Sequence, residues 1–138
     1  MKRATPVLKS RKSIPELLRC LADSADSLIF LQELDGRDFY YNHTGVFGLK
    51  PCEIIGKQAS DIFPPRIASL INKNFRKVVK TGKKVSFQFQ LHWKNKPFWL
   101  ADTKFPIKNR RGRIIAIATI ARDITRRMIA EKSLKESE

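Results

Sequence analysis

Between Val85 and His92 the chain alternates without a break: Val85, Phe87, Phe89 and Leu91 are apolar, and Ser86, Gln88, Gln90 and His92 are polar. Period-two order sends successive side chains to opposite faces of a strand, so this segment requires a sheet with one face covered. The cover stands directly upstream. Ile67, Leu70, Ile71, Phe75, Val78 and Val79 recur at helical spacing and form one apolar face, with Pro64-Pro65 to open the helix and Gly82 to end it. Its other face carries Lys73, Arg76, Lys77 and Lys80 and reads as solvated.

Downstream, Asn95-Lys96-Pro97 and Arg111-Gly112 read as turns bounding two further strands, Phe98 to Ile107 and Ile114 to Arg122. In the first we assign Trp99, Ala101, Thr103 and Phe105 to one phase and Leu100, Asp102 and Lys104 to the other. The second hardly alternates, which predicts a central strand covered on both sides. Upstream, Ser13-Ile14-Pro15-Glu16 is a helix start, followed by a stripe of Leu17, Leu18, Leu21 and Ala22 to about Ser24. Ser27 to Glu33 and Asp38 to Asn42 form a hairpin around Asp35-Gly36. Short glycine-punctuated helical turns follow from Asn42 to Gly56. At the other end Thr125 suits a helix cap, and Arg126 to Glu138 has a helical composition. The order predicts an α+β fold with five antiparallel strands backed on one face by helices. We divide the chain into a basic tail (1–12), a flanking helix (13–25), a core domain (26–124) and a terminal helix (125–138).

A chain of 138 residues, 42% hydrophobic with nine Phe, is one domain with one sizeable core. Its longest apolar run, Ile114 to Ala121, is far short of the roughly 20 residues of a membrane span, and no hydrophobic stretch follows the basic N-terminus to make a secretory signal. Cys20 and Cys52 lie in no metal or redox motif, which fits reduced thiols in a cytoplasmic protein. The net charge of +15 favours anionic partners. The cations are scattered through tail, helix and turns, without a stacking motif or helix-turn-helix, so nucleic-acid binding stands as the weaker alternative and a solvated basic surface as the plainer one. No nucleophile–base pair, catalytic carboxylate pair or phosphate loop is present. Asp35, Asp38 and Asp61 read as turn and cap residues, and the chain is read as non-enzymatic, with no metal site.

Four pieces in order resemble the PAS family: the hairpin ending in Tyr41-Asn42; Glu53-Ile54-Ile55-Gly56-Lys57 with Asp61-Ile62-Phe63-Pro64; Gly112-Arg113-Ile114-Ile115; and Arg122-Asp123-Ile124-Thr125-Arg126. The resemblance covers about Leu17 to Glu138. It implies a sensory or dimerisation domain of a larger bacterial or archaeal signalling protein, such as a histidine kinase, multi-PAS sensor or cyclic-dinucleotide enzyme. The flavin-binding Asn-Cys-Arg-Phe-Leu-Gln run is missing, and the long helix has no haem-ligating His. His43 and His92 read as surface or hydrogen-bonding residues. No cofactor is evident.

In that architecture a pocket would be lined by Phe30, Phe47, Ile71, Phe75, Phe87, Phe89, Trp99, Ala101, Phe105 and Thr119. A small apolar or aromatic ligand, or a fatty acid, would suit it; the same residues equally describe a filled core. Asp123, Ile124 and Thr125 would carry the signal out, with Thr125 capping the terminal helix and Asp123 pairing with a basic residue, as the family implies. Leu17, Leu18 and Leu21 with Met128 and Leu134 would build a homodimer. The partner implied downstream is an output domain of the same polypeptide. The alternative of another kind is a closed protein-docking domain.

Overall fold

The structure, a computed structural model, describes residues 14–42 and 48–137. The basic tail, Ser13, His43, Phe47 and Glu138 therefore lie outside the described residues. In chain order the elements are α1 (Ile14–Asp23), β1 (Leu28–Gln32), β2 (Asp38–Tyr41), α2 (Pro51–Ile54), α3 (Ala59–Ile62), α4 (Pro65–Thr81), β3 (Val85–Trp93), β4 (Lys96–Lys108), β5 (Ile114–Asp123) and α5 (Thr125–Ser137).

The five strands form one antiparallel sheet in the order β2-β1-β5-β4-β3. The expected α+β architecture is thus the observed one, and β5 is central. Helix α4 covers one face, burying Ile67, Ala68, Ile71, Phe75 and Val78. Burial of each of the larger of these side chains is worth roughly 1.5–3 kcal/mol, which exceeds any helix propensity this sequence offers. The helix stops at Gly82, whose φ of 68° is left-handed and whose N–H reaches the Val78 carbonyl at 2.8 Å. Helices α2 and α3 are single turns. Each is closed by an acidic side chain reaching back, Glu53 to the Lys50 N–H at 2.9 Å and Asp61 to the Gln58 N–H at 3.0 Å.

The turn between β3 and β4 differs from expectation. Lys94 and Asn95 both have positive φ, at 48° and 66°, and Trp93 pairs directly with Lys96. This two-residue turn of the kind that matches strand twist displaces the predicted Asn95-Lys96-Pro97 turn and places Pro97 within β4. The register follows from it: Phe89 stands opposite Leu100 and Phe87 opposite Asp102. Leu100, Asp102 and Lys104 therefore share the helix-covered face. Trp99, Ala101, Thr103 and Phe105 point to the other, beside Ile29, Leu31, Ala118 and Ile120 of the neighbouring strands.

Helix α1 sits at the rim of that outer face. Asn42 holds its end in place: its amide nitrogen donates to the Ala22 and Ser27 carbonyls (2.7 and 2.9 Å), while its oxygen accepts the Ile29 N–H at 2.8 Å. The Tyr40 hydroxyl adds a bond to Asp23 at 2.8 Å. No residue of α1 is buried, and no helix among the described residues is long and apolar enough to cross a membrane.

Candidate functional site

Between α4 and the sheet lies a cavity of about 30 Å³, lined by residues from all five strands, α3 and α4 together with Phe63. By this measure one water needs roughly 10–15 Å³, so the space suits two waters or a molecule of about four non-hydrogen atoms. Of the residues expected to line it, Phe30, Ile71, Phe89 and Thr119 do. Phe47 is outside the described residues. Phe75 lies further along α4, in a separate small cluster with Val78 and Ile117. Phe87 stacks on Phe89, with ring centroids 5.9 Å apart, and packs against the main core without reaching the cavity. Trp99, Ala101 and Phe105 are on the opposite face of the sheet, a correction that follows from the two-residue turn.

What replaces them is polar. Gln32, Asp38, Asp102 and Lys104 line the cavity beside Thr119, and all five are buried. Lys104 is 2% exposed. Its ammonium donates to Gln32 Oε1 at 3.1 Å and to Thr119 Oγ1 at 2.9 Å. Gln32 in turn donates to the Gly36 carbonyl at 3.2 Å. Neither carboxylic acid lies within the 4.0 Å of an ion pair with Lys104, and Asp102 Oδ1 has no hydrogen-bond partner among the described residues. Burial raises both acids to a pKa of about 7 against the pull of the Lys104 charge, and burial lowers Lys104 to about 8 against the two acids. Asp38, read from the sequence as a turn residue, is thus a buried member of this cluster.

The sequence does carry a signal for the cluster. Asp102 and Lys104 stand two apart in the middle of a strand, and so on one face of it. An aromatic phase on the same strand points the other way, and only the position of the turn decides between the phases.

The second feature is the end of β5. Ile124 is buried, its N–H donates to the Trp99 carbonyl at 2.8 Å, and its own carbonyl accepts the first helical bond, from Met128 at 2.9 Å. Thr125 is the first residue of α5, but its hydroxyl does not cap that helix as expected. It accepts the N–H of Trp99, in β4, at 3.0 Å and donates to Asp123 Oδ1. The same carboxylate oxygen accepts the Thr125 N–H at 3.0 Å, and Asp123 enters no ion pair among the described residues. The expected Asp–cation tie is therefore replaced by a clamp on both backbone groups of Trp99. Leu100, the next residue, lines the cavity, as does Ala121, two residues before Asp123.

The remaining expected residues are exposed. Leu17, Leu18 and Leu21 of α1 face solvent, Leu21 at 71%. In α5 Met128 is half-buried, and Ile129 and Leu134 are exposed. At about 100° per residue these three spread around the helix, so α5 has no single apolar stripe. His92, Cys20 and Cys52 are exposed.

A family model described as the PAS fold matches residues 21–128. Among solved structures, a PAS domain of a Colwellia psychrerythraea protein superposes with a TM-score of 0.68 at 18% identity, over 82% of this chain and 98% of that one. The PAS domain of Bordetella pertussis BvgS gives 0.67 at 17%, over 91% and 99%. An RNA-binding Light-Oxygen-Voltage receptor gives 0.73 at 19%, with 99% of this chain matched to 40% of that one. No relative among curated proteins matches.

Proposed function

The chain belongs to the PAS family, whose members are sensory modules and in general not catalysts, and from that premise we propose that it senses a state of its cavity and passes it out through β5 into α5. One observation carries this reading. The Thr125 hydroxyl and the Ile124 N–H hold both backbone groups of Trp99, one residue from the cavity-lining Leu100. A shift of β4 or β5 over the cavity then moves the first turn of α5, because the start of the helix is bonded to both strands. In this reading the effector is a further domain of a larger cytoplasmic signalling protein, a histidine kinase, multi-PAS sensor or cyclic-dinucleotide enzyme.

The relay is testable without knowing that effector. Lys104→Met perturbs the cavity, and we expect it to change amide exchange and chemical shifts throughout α5. Adding Thr125→Val should confine the change to the sheet and lower stability by about 1–3 kcal/mol through the unsatisfied Trp99 N–H. Equal α5 responses with and without Thr125 would sink the relay. Asp102→Asn serves as the perturbation if Lys104→Met does not fold.

Homodimerisation belongs to the same proposal, supported by the exposed Leu17, Leu18 and Leu21 face of α1. Met128 and Leu134 contribute less than the sequence implied, since α5 lacks a stripe. The closed docking-domain alternative is disfavoured by the cavity and its charged lining.

A further inference from the structure

We propose that the cavity is a site for one small uncharged molecule that offers a hydrogen-bond acceptor to Lys104 and a donor to Asp102, an amide-like group on a compact frame. This rests on the sensory reading above and specifies the ligand that reading leaves open.

An ammonium has three N–H donors, and Lys104 directs two of them to Gln32 and Thr119. Asp102 Oδ1, deeply buried and lining the cavity, accepts nothing from the described residues. A buried polar atom without a partner is costly, and native proteins rarely leave one. The two groups stand on one face of β4, two residues apart, with the cavity before them and no direct ion pair between them. A bridging group that accepts at one end and donates at the other satisfies both.

Charge then restricts the class. Burial pushes both acids toward protonation and Lys104 toward its neutral form, so the site already disfavours the charges it holds. A carboxylate or ammonium ligand would bring a further charge to a site where Asp38, Asp102 and Lys104 are already desolvated. Size restricts it further, to about four non-hydrogen atoms with the walls as they stand. The remaining lining, which includes Leu28, Phe30, Phe63, Ile71, Phe89 and Leu100, is apolar and suits a methyl or a flat edge. A fatty acid fails on charge and on size: it is ionised at its head and too long.

Three isosteric probes test the class on the unmodified protein: acetamide (acceptor and donor), acetone (acceptor only) and acetate (charged). Titrations followed by amide chemical shifts should show saturable binding of acetamide at residues 100–104 and Gln32, at least tenfold tighter than acetone or acetate. Affinity of so small a probe will be weak, no tighter than about 40 µM by the usual ceiling per atom. Asp102→Asn and Lys104→Met, each checked for folding by circular dichroism, should each weaken acetamide at least tenfold. No saturable binding by any probe, meaning a cavity that holds water only, would overturn the proposal. So would indistinguishable binding by all three. Either failure leaves the relay intact, because that is read from α5 in protein without ligand.

Discussion

Asp38 and Asp102 are held near pKa 7 by burial, whereas an unfolded chain returns them to 3.8. The folded state therefore binds more protons than the unfolded state between about pH 4 and pH 7, so stability is highest below that window and falls as pH rises through it. A tenfold change in proton affinity is worth about 1.4 kcal/mol, which bounds the loss at about 4 kcal/mol per group, less where the two acids share one proton. Lys104 acts in the opposite direction in a different window: its penalty is fully present below about 8 and relieved only toward 10.5. Urea unfolding at pH 5 and pH 7 should show the decline, and Asp102→Asn should flatten it. An unchanged slope in that variant would mean Asp102 does not titrate in the window.

At the scale of elements, α1 presents Ile14, Leu17, Leu18 and Leu21 to solvent while its end is fixed to the sheet by Asn42 and Tyr40. A helix anchored at one end with an uncovered apolar face suits packing against a second copy. Leu21→Glu should convert a dimer into a monomer in light-scattering mass measurements; a wild-type protein already monomeric at high concentration refutes the assignment. The strands show what is legible in the sequence and what is not. Five strands, their order of appearance, α4 and its glycine stop all follow from periodicity and turn residues. The cavity lining follows only in part: Phe30, Ile71, Phe89 and Thr119 do, and the polar members on β4 do not. Reading Asn95-Lys96-Pro97 as the turn, rather than Lys94-Asn95, leaves the phase of β4 undetermined, and a one-residue error in a period-two element exchanges its two faces. The aromatic phase is the natural choice for a core, and the structure turns Asp102 and Lys104 inward instead. Thr125 stands where β5 gives way to α5, but it makes a different bond from the one its sequence context suggests, because its partner, the Trp99 N–H, is distant in sequence and set by sheet order.

For the whole molecule, charge is segregated more than composition suggests. From residue 62 to residue 122 there are fifteen Lys and Arg and a single acid, the buried Asp102, while the other acids lie before Phe63 or after Arg122. A stretch so one-sided attracts polyanions without reading their sequence. Fluorescence anisotropy should show weak binding to duplex DNA at about 50 mM salt, indifferent to sequence, and its loss by about 200 mM. Retention at the higher salt with a sequence preference would instead favour the nucleic-acid alternative.

The strand order has a consequence for how this chain comes to be folded at all. Hairpins β1–β2 and β3–β4 share no ladder; β5 alone is bonded to both. Until the last strand leaves the ribosome, the emerging chain holds two separate hairpins, each marginal alone, and a helix without a complete surface to lie on. Completion of the sheet must wait for Ile114 to Asp123. A chain ending at Arg113 should accordingly be digested by protease as fast as an unfolded one, while the 138-residue chain resists.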